Sequence, residues 1–73
     1  MINDAVKTLL KYIPDRIPEG YWKDGRGFII KLKPTTNDED YMEELLFYVK
    51  GDRIDVTNPM EHPVIINKEM IKL

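Results

Sequence analysis

The sequence contains no cysteine and no serine, and its only histidine is His62. Without cysteine the chain can form neither a disulfide nor a thiolate metal site. Without serine or cysteine, the usual pairs of a nucleophile with a histidine base cannot be assembled. The threonines have no recognisable activating neighbours. This composition therefore predicts a protein that is not an enzyme.

Long apolar runs are also missing. The longest one, residues 45–49, is far shorter than the roughly 20 residues with which a helix crosses a bilayer. The chain does not open with a basic stretch followed by an apolar run, as a secretory signal peptide does. Together with the lack of cysteine, these features predict a cytoplasmic protein without a membrane partner.

The length of 73 residues predicts a single domain, 1–73, with one core. Domains this short bury a smaller share of their surface than longer ones, so their stability margin is narrow. Apolar residues make up 42% of the chain and charged residues 33%, which is a globular balance. A homodimer that covers apolar surface agrees with these features as well as a monomer does.

An amphipathic helix is predicted at the start of the chain. Its apolar residues recur at the spacing of one helical face: Ile2, Val6, Leu9, Leu10 and Ile13. Asn3 is a plausible N-cap. Because Pro14 disfavours a helical conformation at the residue before it, the helix should end at Ile13.

A β-hairpin is predicted next. Residues 24–27 (Asp-Gly-Arg-Gly) separate the β-forming residues 21–23 from residues 28–33, and an Asp-Gly turn between such residues is a strong hairpin signal. Along the second strand, three apolar residues (Phe28, Ile30, Leu32) alternate with Ile29, Lys31 and Lys33. We expect the first set to face the core and the second set to face solvent.

Residues 38–50 have two interpretations. A capping-box pattern that begins at Thr36, followed by helically spaced apolar residues, favours a helix. The run 45–49 is apolar on every side and rich in aromatic and β-branched residues, which favours a strand covered on both faces. We prefer the strand, with residues 50–52 as a turn into a further strand at 53–57.

The end of the chain completes the predicted fold. After a loop bounded by prolines at 58–63, residues 64–66 (Val-Ile-Ile) predict a short strand, and residues 67–73 either extend it or form a last helical turn. The result is an α+β fold, in which one N-terminal helix packs on a small curled antiparallel sheet or open barrel of about five strands (α-β-β-β-β-β). If residues 38–50 are helical, the order becomes α-β-β-α-β-β.

The first candidate binding surface is the tip of the hairpin. Tyr21 and Trp22 stand beside the cations Lys23 and Arg26. Such a group can stack on a nucleotide or anchor a protein interface. The competing explanation is that Trp22 fills the core of a small domain.

The second candidate surface is acidic and consists of Asp38, Glu39, Asp40, Glu43 and Glu44. It fits a basic patch on another protein, or it keeps an apolar strand soluble. It lacks the ligand spacing and central glycine of a calcium loop, so we expect no metal ion and no other cofactor. Nucleic acid is disfavoured as a partner, because the net charge is −2, divided into +3 over residues 1–33 and −5 over residues 34–73.

Three functions are compatible with these residues. The preferred hypothesis is a small non-enzymatic protein-binding module, of the inhibitor, immunity or accessory kind, that occupies a partner's surface. The alternative is a small-molecule or nucleotide-binding sensor that uses residues 21–26. An enzyme in which His62 acts with Glu61 or Asp55 ranks last.

Overall fold

The computed structural model describes residues 1–34 and 45–73. Its elements are α1 (Ile2–Tyr12), β1 (Pro18–Asp24), β2 (Gly27–Leu32), β3 (Leu46–Lys50), β4 (Arg53–Thr57), the one-turn helix α2 (Val64–Asn67) and β5 (Ile71–Lys72). The strands form one open antiparallel sheet in the order β4-β3-β2-β1-β5. This arrangement confirms the predicted α+β fold with an N-terminal helix. In the described part of the chain, no helix has the length and apolar character needed to cross a membrane.

The hairpin of β1 and β2 is closed by a two-residue turn. Asp24 pairs with Gly27, so the loop residues are Gly25 and Arg26. Gly25 has a φ of +60°, which glycine adopts without the steric cost that a Cβ would bring. A glycine at the first loop position is typical of a type II′ turn, whose twist matches that of the flanking strands. The predicted hairpin is confirmed.

The hairpin of β3 and β4 has the same kind of turn. Lys50 pairs with Arg53 around Gly51, which has a φ of +57°. The strand interpretation is therefore confirmed for residues 46–50, and so is the turn into residues 53–57. The rest of the ambiguous segment, up to residue 44, lies outside the described residues.

α1 covers one face of the sheet, which we call the helix face. Ala5 and Leu9 are buried there against the central strands, with Ile2, Val6 and Ile13 packed around them. The helix ends at Tyr12, as Pro14 predicts, but its N-cap is Met1 and Asn3 lies inside the helix. Leu10 also departs from its predicted place, since it is half-buried and lies outside the core cluster.

The opposite face, which we call the C-terminal face, is covered by the end of the chain. Ile29 is fully buried there beside Trp22 and Leu46. Val64, Ile65 and Met70 pack against this cluster. The prediction that this side of β2 faces solvent was therefore wrong, because the C-terminal segment folds back over it.

The strand predicted at residues 64–66 was also wrong, because these residues begin the helix α2. Pro63 stands at its N-cap with a φ of −56°, and the fixed φ of proline suits the start of a helix. The short helix presents Val64 and Ile65 to the sheet. Apolar content alone does not distinguish such a turn from a buried strand.

Trp22 fastens the C-terminal segment to the sheet. Its indole N–H donates a hydrogen bond of 2.8 Å to the carbonyl of Lys68. Further along the chain, β5 pairs with β1 at Gly20 and Tyr21. A Cβ on Gly20 would lie 2.6 Å from the Met70 side chain, so glycine at this position permits the close approach. The last residues of the chain are therefore part of the fold.

The helix face can be tested with two leucines of α1. We expect Leu9→Ala to lower the free energy of unfolding by about 2–5 kcal/mol, because it leaves a cavity in the core. Leu10→Ala is the matched control on the same helix, and its half-exposed side chain should cost about 1 kcal/mol or less. Urea unfolding followed by Trp22 fluorescence measures both. Equal losses at the two positions would contradict the orientation of α1.

Candidate functional site

The predicted hairpin site does not form one surface. Tyr21 and Trp22 are consecutive in β1, so their side chains lie on opposite faces of the sheet. Trp22 is only 8% exposed, while Tyr21 packs edge-on against Phe28 with 5.8 Å between ring centroids. Lys23 and Arg26 are exposed. The structure thus separates the aromatic pair and leaves the two cations without a shared aromatic platform.

The predicted acidic site lies outside the described residues. It comprises Asp38, Glu39, Asp40, Glu43 and Glu44, all of them between residues 34 and 45. Over residues 1–34 and 45–73, no group of three or more histidine, aspartate or glutamate side chains is placed to hold a metal ion.

His62 belongs to a polar cluster on the C-terminal face. Its Nδ1 lies 2.8 Å from Oδ2 of Asp24. Its ring stacks on Tyr48, with 5.0 Å between centroids and 23° between the ring planes. The expected pairing of His62 with Glu61 or Asp55 is therefore replaced by a pairing with Asp24. Asp24 is 38 positions away in the sequence, so no local sequence pattern predicts the contact.

Tyr48 reaches this cluster because β2 has a glycine beneath it. A Cβ on Gly27 would lie 2.6 Å from both Cζ and the hydroxyl oxygen of Tyr48. An aromatic ring that lies over a glycine of the neighbouring strand covers backbone that would otherwise be bare. Tyr48 thus contacts Gly27 as well as the ring of His62.

The loop after β4 is held by its own polar groups. Glu61 accepts hydrogen bonds from Thr57 Oγ1 at 3.3 Å and from Asn58 Nδ2 at 3.1 Å. Oδ1 of Asn58 accepts the backbone N–H groups of Met60 and Glu61. This loop borders an open cleft of about 370 Å³ beside Tyr48 and His62. The hydrogen bonds of Asn58 and Glu61 fix the path of the loop beside this cleft.

A different feature stands out at the edge of the sheet. β4 is the last strand on its side of the sheet as the described residues form it. Lys50 and Arg53 close a two-residue turn and form a hydrogen-bonded pair. Hydrogen-bonded and non-hydrogen-bonded pairs alternate along antiparallel strands, so the backbone groups of Arg53 and Asp55 bond to β3. Ile54 and Val56 therefore direct their backbone N–H and C=O groups outward.

An apolar patch adjoins this edge on the helix face. It consists of Tyr12, Phe47, Ile54 and Val56, and we call it the edge patch. Tyr12 and Val56 are each 71% exposed, and Phe47 and Ile54 are partly buried. Together with Asp52 at its rim, the four side chains line a depression of about 360 Å³. Outward-facing backbone beside an exposed apolar patch forms a surface that can accept an extended chain.

The alternation of Ile54 and Val56 with charged residues was visible in the sequence. The alternation indicated a strand, and the structure confirms it as β4. In the structure α1 packs on β2 and β3, which leaves Val56 exposed. The position of β4 at the edge depends on strand order, so sequence reasoning missed these residues as a site.

The support of Tyr48 by Gly27 can be tested with a pair of glycine substitutions. Gly27→Ala should move the Tyr48 ring away from His62 and cost about 1–3 kcal/mol of stability through overpacking. The control Gly25→Ala adds the same methyl group where nothing lies within 4 Å, and its positive φ should cost about 1 kcal/mol. Proton NMR decides between them, since only Gly27→Ala should change the ring-current shifts of His62. Unchanged shifts would contradict the contact.

Comparison with known proteins provides no relative from which a function could be inferred. No family model, no curated protein and no solved structure matches the chain. What the chain does is therefore inferred from its own residues.

Proposed function

We propose that this chain is a non-enzymatic protein-binding module that accepts an extended segment of a partner at the β4 edge. One observation carries the proposal. The backbone N–H and C=O groups of Ile54 and Val56 face outward beside the exposed edge patch. In strand addition, backbone hydrogen bonds of this kind supply affinity, while apolar contacts of alternate side chains supply specificity.

The regular, bulge-free pairing of β4 supports this role. Proteins usually guard a sheet edge with proline, a bulge or inward-pointing charge, because a bare edge pairs with other chains. β4 pairs regularly with β3 along all five of its residues, and it contains no proline. Its charged side chains, Arg53 and Asp55, lie on the C-terminal face. On the helix face β4 carries Ile54 and Val56, with Asp52 of the preceding turn beside them.

The edge also defines the chemistry of the partner segment. An extended chain next to β4 would place alternate side chains on the helix face, where the edge patch favours apolar groups. Its other side chains would lie beside Arg53 and Asp55, which favour polar groups of either sign. The partner segment is therefore expected to alternate between apolar and polar residues.

The polar cluster around His62 supports the position of β4. Asp24 engages His62, and Glu61 engages Thr57 and Asn58. These hydrogen bonds hold the loop after β4 and the end of the first hairpin together. A framework of this kind keeps β4 in a fixed position, as strand addition requires.

The proposal is tested by comparing Val56→Lys with Ile66→Lys. Val56 lies in the edge patch, whereas Ile66 is a similarly exposed apolar residue (67%) in α2. The probes are peptides selected from a random twelve-residue library on the immobilised wild-type protein. We expect Val56→Lys to weaken their binding roughly tenfold or more, because a buried apolar contact is lost. Ile66→Lys should leave it nearly unchanged. Fluorescence anisotropy with labelled peptides measures both.

Amide hydrogen exchange locates the bound peptides independently of the substitutions. Peptide addition should slow exchange at the amides of Ile54 and Val56, while the amide of Asp55 is already bonded to β3. Selected peptides that bind without protecting these two amides would overturn the proposal. So would equal losses of binding in the two lysine variants, provided that both unfold at the same urea concentration as the wild type.

A further inference from the structure

Building on the proposed function, we infer that in the absence of another partner the β4 edge is occupied by β4 of a second copy of this chain. The two copies pair antiparallel about a two-fold axis and continue the sheet from one copy to the other. A foreign segment then has to displace the second copy, so self-association regulates access to the edge.

The outward direction of the backbone at Ile54 and Val56 restricts how two copies can pair. A symmetric antiparallel pair that uses these groups is centred on Ile54, on Asp55 or on Val56. In each of these pairings the helix faces of the two copies lie on the same side of the combined sheet. The charges of β4 select among the three registers.

The register centred on Ile54 is complementary in charge. It places Arg53 directly opposite Asp55 of the second copy, and by symmetry it does so twice. Within one chain, Arg53 Nε already lies 2.7 Å from Asp55 Oδ2 in a largely exposed ion pair. Two such pairs side by side form a square of alternating charges. Opposite charges that face each other across strands favour pairing.

The other two registers lack this complementarity. Centring on Asp55 places the two Asp55 carboxylates directly opposite each other, and like charges in that position oppose pairing. Centring on Val56 places Asp55 opposite Thr57 and Arg53 opposite Pro59, so neither charge faces a charge of opposite sign. The register centred on Ile54 is therefore the one to which we commit.

The same register also brings the apolar side chains together. Ile54 lies opposite Ile54 of the second copy, with Val56 diagonally across from it, while Val56 itself lies opposite Asp52. Phe47 is the neighbour of Val56 within the sheet, so each edge patch extends from the Ile54 pair along the same helix face. The pairing covers apolar surface that a single copy leaves exposed.

Charge reversal tests the register. Arg53→Asp and Asp55→Arg, each alone, place like charges opposite each other twice, and each should weaken the dimer roughly tenfold or more. The double variant exchanges the two charges and should restore the dimer. An equimolar mixture of the two single variants should form a heterodimer, because every facing pair is then of opposite sign. Sedimentation equilibrium of the full chain over a range of concentrations measures all four.

The mixture distinguishes pairing between copies from the ion pair within one chain. Both single variants lack the internal Arg53–Asp55 pair, so a merely internal role predicts no association when they are mixed. Wild-type dimers, weaker single variants and a restored mixture support the inference. A wild-type protein that stays monomeric at millimolar concentration overturns it, and so does a mixture that associates no better than its components.

Failure of the dimer does not decide the proposed function. If the wild-type protein is monomeric but selected peptides protect the amides of Ile54 and Val56, the edge binds other chains and only the self-pairing is wrong. If the dimer forms, a selected peptide should dissociate it in proportion to its own affinity. A dimer that persists under saturating peptide, with both bound together, also overturns the inference, because the two would then occupy different surfaces.

Discussion

Ile29 and Ile30 are consecutive residues of β2, and both are completely buried. Because neighbouring side chains of a strand point to opposite faces, the centre of this sheet must be covered on both sides. A chain of 73 residues has little material with which to do this. α1 covers one face from the start of the chain, and the segment that contains α2 covers the other from its end. The exposure of β4 follows from the way in which the two faces are covered.

Both covers are anchored at the middle of the sheet, and within the described residues the outer edge of β4 pairs with no further strand. α1 packs on β2 and β3. On the other face, the Trp22 indole draws the C-terminal segment towards β1, where β5 adds the last strand. Neither cover extends over Val56 in β4. The proposed binding edge is thus a consequence of how a short chain divides its apolar residues between two faces.

The polar cluster at His62 connects the two ends of the sheet's C-terminal face. It joins Asp24, at the tip of the first hairpin, to the loop that follows β4. Tyr48 extends the contact across the sheet to Gly27. This network connects the loop after β4 to the central strands. β4 can therefore present its outward backbone groups in a fixed orientation.

The sequence by itself determined α1, the first hairpin and the strands β3 and β4, although it did not reveal the helix α2. Pro14, which follows the apolar period of α1, marked the end of that helix, and Gly25 and Gly51 marked the turns of the two hairpins, because proline restricts the backbone and glycine widens its range. The aromatic and β-branched content of residues 46–49 indicated the strand β3. Only the tertiary structure decided that Val64 and Ile65 cover Ile29, that His62 meets Asp24, and that β4 lies at an edge. These features depend on strand order and on contacts between distant residues, which no local pattern encodes.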